Sequence, residues 1–372
     1  MAKILMLNLP SHGHVNPTLA ITKELIARGH EVTYLITDEF RKKVEATGAN
    51  VICYDQDRPV SHSVFRIIAN QTRARQMALH IGSDYDCLIF EMIFFKGRQV
   101  GKTLNKPTIR LSSIFAINKE VMEQMLAQSG LRYYLGKGKF MRKFMFRLMT
   151  RNTPDLNIVF TSRSFQFAGD SFDEKRYKFI GASLTSRKEE TVIPFDRMTG
   201  KIIYISMGTI FNRSFRFLKK CIKAFEKSDF TVIMSVGTRI DIKKLGVIPE
   251  NFYVYPHVPQ LEVLKHADAF ITHGGMNSAN EAIYYAVPVV VIPQRADQPM
   301  VGRRIEQLSL GKVINKKDVT AQLLRDTLTE VLVNTRYKDN MKKMSNDMQK
   351  AGGFRQAVTE IETFLNKQRL IS

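Results

Sequence analysis

The fold is decided by residues 268–298, DAFITHGGMNSANEAIYYAVPVVVIPQRADQ. Residues 269–272 are a short apolar run typical of a buried strand, and the pair Gly274 and Gly275 marks a tight turn after it. A helix is predicted to begin near Asn277, and the apolar run PVVVIP supplies the next strand. Strand, turn, helix and strand in this order predict one unit of a parallel α/β sheet.

The turn at Gly275 also predicts an anion site, because a helix N-terminus presents unpaired backbone N–H groups and the positive end of the helix dipole. His273 adds a donor at the end of the strand, and the side chains of Asn277 and Ser278 can add two more. We therefore predict that this turn holds a diphosphate. A plainer interpretation stays open, in which Asn277 or Ser278 only caps the helix.

Further polar residues are predicted to reach the same edge of the sheet. Glu281 lies one turn further into the helix and would suit the two hydroxyl donors of a ribose. Asp297 and Gln298 follow the strand PVVVIP and would suit the hydroxyls of a sugar. His257 and Val258 also follow a predicted strand, where an imidazole can stack on a base and a backbone amide can meet its edge.

The alternation of strands and helices begins at the start of the chain. AKILMLNL predicts a strand, PSHGHVNP a loop, TLAITKELIARG a helix and HEVTYLIT the next strand. A polar, strandless stretch at 184–199 predicts a linker. We expect domains at 1–183 and 200–350 and a final helix at 351–372. A binding cleft is expected at the carboxyl ends of the strands, where the two halves face.

The charge of the chain first suggests an anionic partner. The 372 residues carry a net charge of +21, from 56 basic and 35 acidic side chains. Residues 251–300, which contain most of the motif, hold two basic and four acidic residues, whereas residues 101–150 hold ten and two. A nucleic-acid-binding protein would concentrate basic residues around its binding motif, so this distribution argues against nucleic acid as a partner.

The most basic segment is residues 131–151, with seven Lys or Arg residues and no acidic residue. Its apolar residues recur at helical spacing, which predicts an amphipathic helix. Two interpretations stay open. The helix either contacts a membrane surface or an apolar ligand, or it is an ordinary surface helix whose Lys and Arg stems extend along the protein.

The expected localisation follows from cysteine usage and from apolar runs. The three cysteines lie too far apart for a disulfide framework or a thiolate metal site, which fits a reducing compartment. The N-terminus lacks a signal-peptide pattern, and no apolar run approaches the roughly 18 residues of a membrane-spanning helix. We expect a cytoplasmic protein, with peripheral contact at the inner membrane surface through 131–151 as an option.

These motifs resemble those of the UDP-glycosyltransferases, in particular the bacterial macrolide-type branch. The resemblance rests on HVPQ at 257–260, HGGMNSANE at 273–281 and PQRADQ at 293–298. It extends from GHVNP near the start to SMGT at 206–209 and KAGG at 350–353. The resemblance implies the GT-B fold, an α/β architecture of two Rossmann-like domains. The N-terminal domain would bind an acceptor and the C-terminal domain a UDP-sugar.

The resemblance also implies the catalytic residues. His14, in GHVNP, corresponds to the general base of the family, and His12 to a variable wall position. Histidine suits this task because its ordinary pKa, about 6.5, leaves it mostly neutral at pH 7. The strand DCLIFE ends in Glu91, where the family has the aspartate that orients the base. Glu91 is one methylene longer and is the candidate partner of His14.

The implied donor contacts follow the parts of a UDP-sugar. The diphosphate would lie near His273 and the loop at 206–209, and the ribose at Glu281. The hexose would lie at Asp297 and Gln298, and the uracil end at Val258 and Gln260. His257 stands where many members have Trp, and imidazole offers less stacking area. The complete donor-binding set is Ser206, Thr209, His257, Val258, Gln260, His273, Gly275, Asn277, Ser278, Glu281, Asp297 and Gln298.

No metal or other cofactor is expected, and the UDP-sugar is a co-substrate. Asp55 and Asp57, and likewise Asp84 and Asp86, have the DxD spacing of some metal-binding transferases. Both pairs lie in the half that is not expected to bind the nucleotide, and solvated loop carboxylates account for them. A helix N-terminus together with His273 can stabilise the leaving UDP instead.

The sequence thus predicts an inverting glycosyltransferase. His14 would deprotonate an acceptor hydroxyl, which displaces UDP from a UDP-α-hexose, with glucose the expected sugar, to give a β-glycoside. The expected acceptor is a lipophilic hydroxylated small molecule such as a macrolide or flavonoid. Two alternatives stay open: a membrane-surface glycosyltransferase with a lipid acceptor, and a catalytically silent nucleotide-sugar-binding protein. A dinucleotide oxidoreductase is disfavoured because no GxGxxG follows the first strand of either half.

Overall fold

The computed structural model describes residues 1–55, 64–122, 154–184, 191–208 and 215–369. The basic segment 131–151 and the predicted donor-binding residue Thr209 lie outside the described residues. Part of the predicted linker, 185–190, also lies outside them.

The chain divides into two compact units. The first comprises Met1–Thr185 and Lys350–Ser372, and the second comprises Ser186–Gln349. Each unit is built on one parallel β-sheet, which confirms the prediction of two parallel α/β domains. The C-terminal segment belongs to the first unit, because its helix completes the core of that unit.

The first unit contains a seven-stranded sheet in the order β3-β2-β1-β4-β5-β6-β7, with every neighbouring pair parallel. The central strands are continuous apolar runs because helices cover both faces of such a sheet. The strands are β1 Lys3–Leu7, β2 Glu31–Ile36, β3 Asn50–Cys53, β4 Cys87–Glu91, β5 Thr108–Ser112, β6 Leu156–Val159 and β7 Tyr177–Phe179.

The second unit contains a six-stranded parallel sheet in the order β10-β9-β8-β11-β12-β13. This order is that of a doubly wound sheet: the chain begins at β8 in the middle, adds β9 and β10 on one side, and then adds β11, β12 and β13 on the other side. The strands are β8 Ile202–Ser206, β9 Thr231–Ser235, β10 Phe252–Tyr255, β11 Ala269–Thr272, β12 Val289–Val291 and β13 Gly311–Val313.

Helices connect the strands in both units. The α-helices are α1 His12–Ala27, α2 Arg41–Glu45, α3 Val64–Ile81, α4 Gly97–Leu104, α5 Phe215–Phe225, α6 Gln260–His266, α7 Met276–Tyr284, α8 Gln298–Gln307, α9 Ala321–Val333, α10 Thr335–Lys350 and α11 Gly353–Arg369. Short 3-10 helices span Asp38–Phe40, Gly82–Asp84, Gly169–Ser171, Phe195–Arg197 and Ile242–Leu245. None of the helices in the described part of the chain combines the length and apolar character needed to cross a bilayer.

The C-terminal helix α11 packs on α1. Val358 and Ile361 of α11 join the same buried apolar cluster as Ile21 of α1. At the rim of this contact, Arg28 Nη1 pairs with Glu362 Oε2 at 2.9 Å. Burial of the apolar face of α11, more than this exposed ion pair, holds the chain end on the first unit.

Two strands at the sheet edges lack the apolar runs from which strands are predicted. β7 and β13 are three residues long, YKF and GKV, and each lies at an edge of its sheet. An edge strand has one neighbour and is only partly covered, so it needs no long apolar run. Short polar-containing strands of this kind carry little sequence signal.

The first helix begins earlier than predicted. The sequence predicts a loop through PSHGHVNP, whereas α1 begins at His12 and contains Pro17. Proline has a helical φ, but it lacks the N–H and its ring crowds the carbonyl four residues earlier, so the helix loses one backbone hydrogen bond there. Side chains supply contacts nearby: Ser183 Oγ donates to the carbonyl of Pro17 at 2.7 Å, and Asn8 Nδ2 donates to that of His14 at 3.2 Å.

Candidate functional site

The first candidate site lies at the carboxyl ends of three neighbouring strands in the first sheet. β1, β4 and β5 are adjacent, and the strand order reverses between β1 and β4. Parallel α/β sheets bind ligands at such a reversal. His14 follows β1, Glu91 ends β4 and Ser113 follows β5, so the topology brings these three residues together.

His14, Ser113 and Glu91 form a closed hydrogen-bonded cluster. His14 Nδ1 lies 2.7 Å from Ser113 Oγ and 3.0 Å from Glu91 Oε1. The Ser113 hydroxyl donates to the same Glu91 Oε1 at 2.7 Å, and the backbone amide of Ile93 donates to Glu91 Oε2 at 2.7 Å. The structure therefore brings the predicted base and its predicted partner together, and it adds a serine that the sequence analysis missed.

The electrostatics of this cluster suit a histidine base. Burial disfavours the charged form of Glu91, but His14, the Ile93 amide and the Ser113 hydroxyl outweigh burial and hold the pKa of Glu91 below its ordinary value. The Glu91 side chain is 1% exposed, whereas that of His14 is 15% exposed. A buried carboxylate behind an accessible imidazole stabilises the imidazolium that forms when the ring accepts a proton.

A second cluster of polar side chains forms hydrogen bonds with the start of α1. Besides its bond to the carbonyl of His14, the side-chain amide of Asn8 donates to the Tyr34 hydroxyl at 2.8 Å. The Tyr34 hydroxyl also contacts the hydroxyl of Thr18, which donates to the carbonyl of Val15 at 2.8 Å. Burial raises the pKa of Tyr34 to about 12, so the phenol stays neutral. These contacts fix the backbone that carries His14.

The second candidate site lies at the carboxyl edge of the second sheet. β8, β11 and β12 are adjacent, and the strand order reverses between β8 and β11. Ser206 ends β8, His273 directly follows β11, and the loop that contains Asp297 follows β12. The structure thus brings these three predicted donor-binding residues to one edge.

The imidazole of His273 lies between two glycines. A Cβ atom on Gly275 would lie 2.6 Å from His273 Nε2, and a Cβ atom on Gly208 would lie 2.6 Å from Cε1. Gly208 has a φ of +72°, whereas Gly275 has an ordinary φ of −64°, so Gly275 is required for space alone. Burial lowers the pKa of His273 to about 4. At pH 7 the ring is neutral and offers a hydrogen-bond donor without positive charge.

Helix α7 presents its N-terminus at this site. Its N-cap residue is Gly275, which has no side chain, so neither Asn277 nor Ser278 occupies the capping position. The carboxylate of Asp297 accepts the backbone amide of Met276, the first residue of α7, at 3.3 Å. Asp297 therefore lies beside the N-terminus of α7. In a UDP-sugar the hexose is attached to the outer phosphate, and the contact of Asp297 with a hexose stays a prediction.

Gln260, at the start of α6, links three residues of this site. Its amide nitrogen donates to the carboxylate of Glu281 and to Ser278 Oγ, the latter at 3.4 Å. Its carbonyl oxygen accepts the hydroxyl of Tyr204 at 3.0 Å. Three predicted donor-binding residues thus meet, and Gln260 orients the buried Glu281. Contact of Gln260 with the uracil end stays a prediction.

The remaining predicted residues occupy loops of the second unit. Gln298 is buried, and its side-chain carbonyl accepts the backbone amides of Gln294 at 2.7 Å and Arg295 at 3.1 Å. Gln298 therefore stabilises the turn before α8. Because its carbonyl oxygen makes these two hydrogen bonds, the predicted contact with a sugar would be made by its amide nitrogen. Exposed His257 and buried Val258 follow β10, which β9 separates from β8.

Two of the acidic residues with DxD spacing, Asp55 and Asp86, accept backbone amides. Asp86 Oδ2 accepts the amide of Lys3 at 2.7 Å, and Asp55 Oδ1 accepts that of Asp38 at 2.9 Å. Asp57 lies outside the described residues. Across the described ranges, no three His, Cys, Asp or Glu side chains are grouped so that they could hold a metal ion.

Sequence reasoning missed Ser113, Asn8 and Tyr204. Ser113 and Asn8 follow apolar strands directly, in KPTIRLSS and AKILMLNL, and this position was the available signal. Tyr204 lies inside the apolar run of β8 and stacks on Phe270, with ring centroids 4.5 Å apart. Nothing in its sequence context separates it from an ordinary core residue.

Known proteins are similar to both halves of this chain. The family described as UDP-glucoronosyl and UDP-glucosyl transferase matches residues 190–351, and the glycosyltransferase family 28 N-terminal domain matches residues 4–92. NDP-glycosyltransferase YjiC of Bacillus subtilis (strain 168) is 36% identical, over 98% of this chain and 97% of that protein. Oleandomycin glycosyltransferase of Streptomyces antibioticus is 27% identical, over 98% of this chain and 91% of that protein.

A solved structure extends the similarity to the fold. The crystal structure of CalG4, the calicheamicin glycosyltransferase, superposes with a TM-score of 0.83 and 26% sequence identity. The match covers 99% of this chain and 99% of that chain.

Proposed function

Because the chain belongs to the UDP-glycosyltransferase family and has the GT-B fold, we propose that it transfers a hexose from a UDP-sugar to a hydroxyl of a lipophilic natural product. The family description includes UDP-glucosyl transfer, which makes UDP-glucose the donor to test first. Two similar proteins are named for oleandomycin and calicheamicin, and these names support a natural-product acceptor.

The observation that carries this proposal is the cluster of His14, Ser113 and Glu91. An acceptor hydroxyl is a weak nucleophile until a base removes its proton. His14 is accessible at the carboxyl edge of the sheet, and the ionised Glu91 behind it favours the protonated ring. A site with this arrangement suits proton abstraction from a neutral hydroxyl.

The proposed reaction is a single displacement. The acceptor oxygen forms a bond to the anomeric carbon as its proton moves to the imidazole of His14. The bond from the anomeric carbon to the phosphate oxygen breaks, and its electron pair leaves with UDP. Attack opposite the leaving group inverts the anomeric centre, so a UDP-α-sugar gives a β-glycoside. The imidazolium later returns its proton to water.

The second unit holds the donor in this proposal. The N-terminus of α7 and the neutral His273 donate hydrogen bonds to the diphosphate, which carries increasing negative charge as the sugar leaves. Asp297 accepts from the hexose, and Glu281, oriented by Gln260, accepts from the ribose. These donors and acceptors need no metal ion between the protein and the phosphates.

An acceptor screen tests the proposed function. The full-length protein is incubated with UDP-glucose and a panel of macrolides and flavonoids, and products are detected by mass spectrometry. We expect at least one acceptor to gain one hexose, with one UDP released per product and a β configuration by NMR. UDP release at the same rate with and without acceptors, and no glycosylated product, would contradict the proposal.

A further inference from the structure

We infer that Ser113 is a positioning residue for His14: its hydroxyl oxygen accepts the Nδ1 proton of the imidazole and so fixes the tautomer and the plane of the ring. The inference rests on the proposed role of His14 as the general base. Ser113 acts on transfer through His14, not through contact with the reacting atoms.

The direction of each hydrogen bond follows from the groups involved. An ionised carboxylate only accepts, so the hydroxyl proton of Ser113 points to Glu91 Oε1, 2.7 Å away. Toward His14 the Ser113 oxygen can then only accept, and the 2.7 Å contact places the imidazole proton on Nδ1. The neutral ring consequently carries its lone pair on Nε2, which becomes the nitrogen that accepts the proton of the substrate hydroxyl.

Each carboxylate oxygen of Glu91 accepts a hydrogen bond, and one of these comes from Ser113. Its Oε2 accepts the Ile93 amide at 2.7 Å, and its Oε1 accepts the Ser113 hydroxyl. Oε1 lies 3.0 Å from His14 Nδ1, a longer separation than that of the serine oxygen. Ser113 therefore accepts the shorter, orienting hydrogen bond, whereas Glu91 supplies the negative charge.

At the position where the family has an aspartate, the glutamate of this chain therefore acts together with a serine hydroxyl. The carboxylate contacts the ring directly, and the Ser113 hydroxyl lies beside that contact and bonds to both groups. Topology supplies that hydroxyl, because β4 and β5 are paired and the backbone amide of Met92 bonds to the carbonyl of Leu111 at 2.8 Å. Two residues after Leu111, the chain places Ser113 beside Glu91.

The preceding residue provides a matched control. Ser112 is also buried, but its Oγ has no hydrogen-bond partner within the described ranges. Replacing Ser112 with alanine removes a hydroxyl without removing a hydrogen bond to any residue that the structure describes. The same change at Ser113 removes two contacts, one to His14 and one to Glu91.

The kinetic test compares Ser113→Ala, Ser113→Thr and Ser112→Ala in the full-length enzyme. We expect Ser113→Ala to lower kcat about tenfold, or about 1.4 kcal/mol, which is the size of the one hydrogen bond that orients His14. The Kd for UDP should not change, because the substitution lies in the first unit. Ser113→Thr, which keeps the hydroxyl, should recover most of kcat, and Ser112→Ala should match the wild type.

A spectroscopic test follows the ring itself. ¹⁵N-labelled histidine is examined by NMR in the unliganded protein, with His14 assigned from the His14→Ala spectrum. The wild type and Ser112→Ala should show a proton on Nδ1, and Ser113→Ala should change the two ring nitrogen shifts. In a double-mutant cycle, Ser113→Ala should also cost less in a Glu91→Gln background, since the two residues act together.

The inference is overturned if Ser113→Ala retains both the kcat and the ring spectrum of Ser112→Ala. A different result would overturn the proposed function: transfer at the wild-type rate by His14→Ala. The two failures are separate, because the ring spectrum is measured without substrates and reports the link between Ser113 and His14 directly.

Discussion

His273 should stay neutral in the folded protein down to about pH 5, and this has a consequence for stability. Burial of the ring between Gly208 and Gly275 lowers its pKa from 6.5 to about 4. In the unfolded chain the same imidazole has its ordinary pKa. Between pH 6.5 and pH 4 the unfolded chain therefore binds a proton that the folded protein does not, and the free energy of unfolding falls as the pH falls.

The expected size of this effect follows from the difference between the two pKa values. Each pKa unit is worth about 1.36 kcal/mol, so His273 should lower the free energy of unfolding by about 3 kcal/mol between pH 7 and pH 4. Above about pH 7 the ring is neutral in both states, and the contribution is constant.

Urea unfolding of the wild type and of His273→Asn at pH 7 and pH 4.5 measures this contribution. The asparagine does not titrate, whereas every other ionisable group is present in both proteins. The loss of stability on acidification should therefore be about 2 to 3 kcal/mol larger in the wild type. This difference isolates His273 from the carboxylates that titrate in the same range.

An NMR titration checks the cause. The His273 Cε1 proton, assigned by its absence in His273→Asn, should not titrate between about pH 8 and pH 5.5. A midpoint near pH 6.5, with equal losses of stability in the two proteins, would refute the argument that burial keeps this ring neutral.

Two further substitutions, one of them with a control variant, test the two sites separately. Gly275→Ala should displace the His273 ring, because the added Cβ would lie 2.6 Å from Nε2. Overpacking of this kind costs about 1–3 kcal/mol, so the Kd for UDP, measured by calorimetry, should rise about tenfold. Gly13→Ala, whose added Cβ has no atom within 4 Å, should leave that Kd unchanged; equal affinities in both variants would contradict the proposed diphosphate site. Glu91→Gln should lower kcat about 10- to 100-fold, since a charge-assisted hydrogen bond is worth about 1.5–3 kcal/mol, and should keep the Kd for UDP; an unchanged kcat would remove Glu91 from the catalytic cluster.

The parallel sheets could be predicted because their central strands are buried on both faces. Strands such as β1 (KILML) and β4 (CLIFE) consist largely of apolar residues because both of their faces are covered, and each is followed by polar or helical sequence. The edge strands β7 and β13 could not be predicted in this way, because partial burial leaves room for lysine in both. The start of α1 was also missed, since Pro17 is a strong local signal against a helix that tertiary contacts outweigh.

The candidate sites were only partly predictable. His14 and Glu91 were predicted from the family resemblance, but the serine that contacts both depends on the pairing of β4 with β5, which the sequence of one strand alone does not specify. For Asp297 the sequence predicted a position at the strand edge. Its bond to the first amide of α7 arises only when two loops meet in three dimensions.

The central claim is that His14 accepts the proton of the substrate hydroxyl while residues of the second unit hold the UDP-sugar. The most direct test is the initial rate of glucose transfer by His14→Ala at saturating UDP-glucose and acceptor, with the Kd for UDP measured in parallel. The exposed neighbour His12, whose ring contacts Phe40, supplies the control His12→Ala. We predict a loss of at least about 100-fold for His14→Ala, the scale of general base catalysis, with an unchanged Kd and near-normal transfer by His12→Ala. Wild-type rates in His14→Ala, or equal losses in both variants, would contradict the claim.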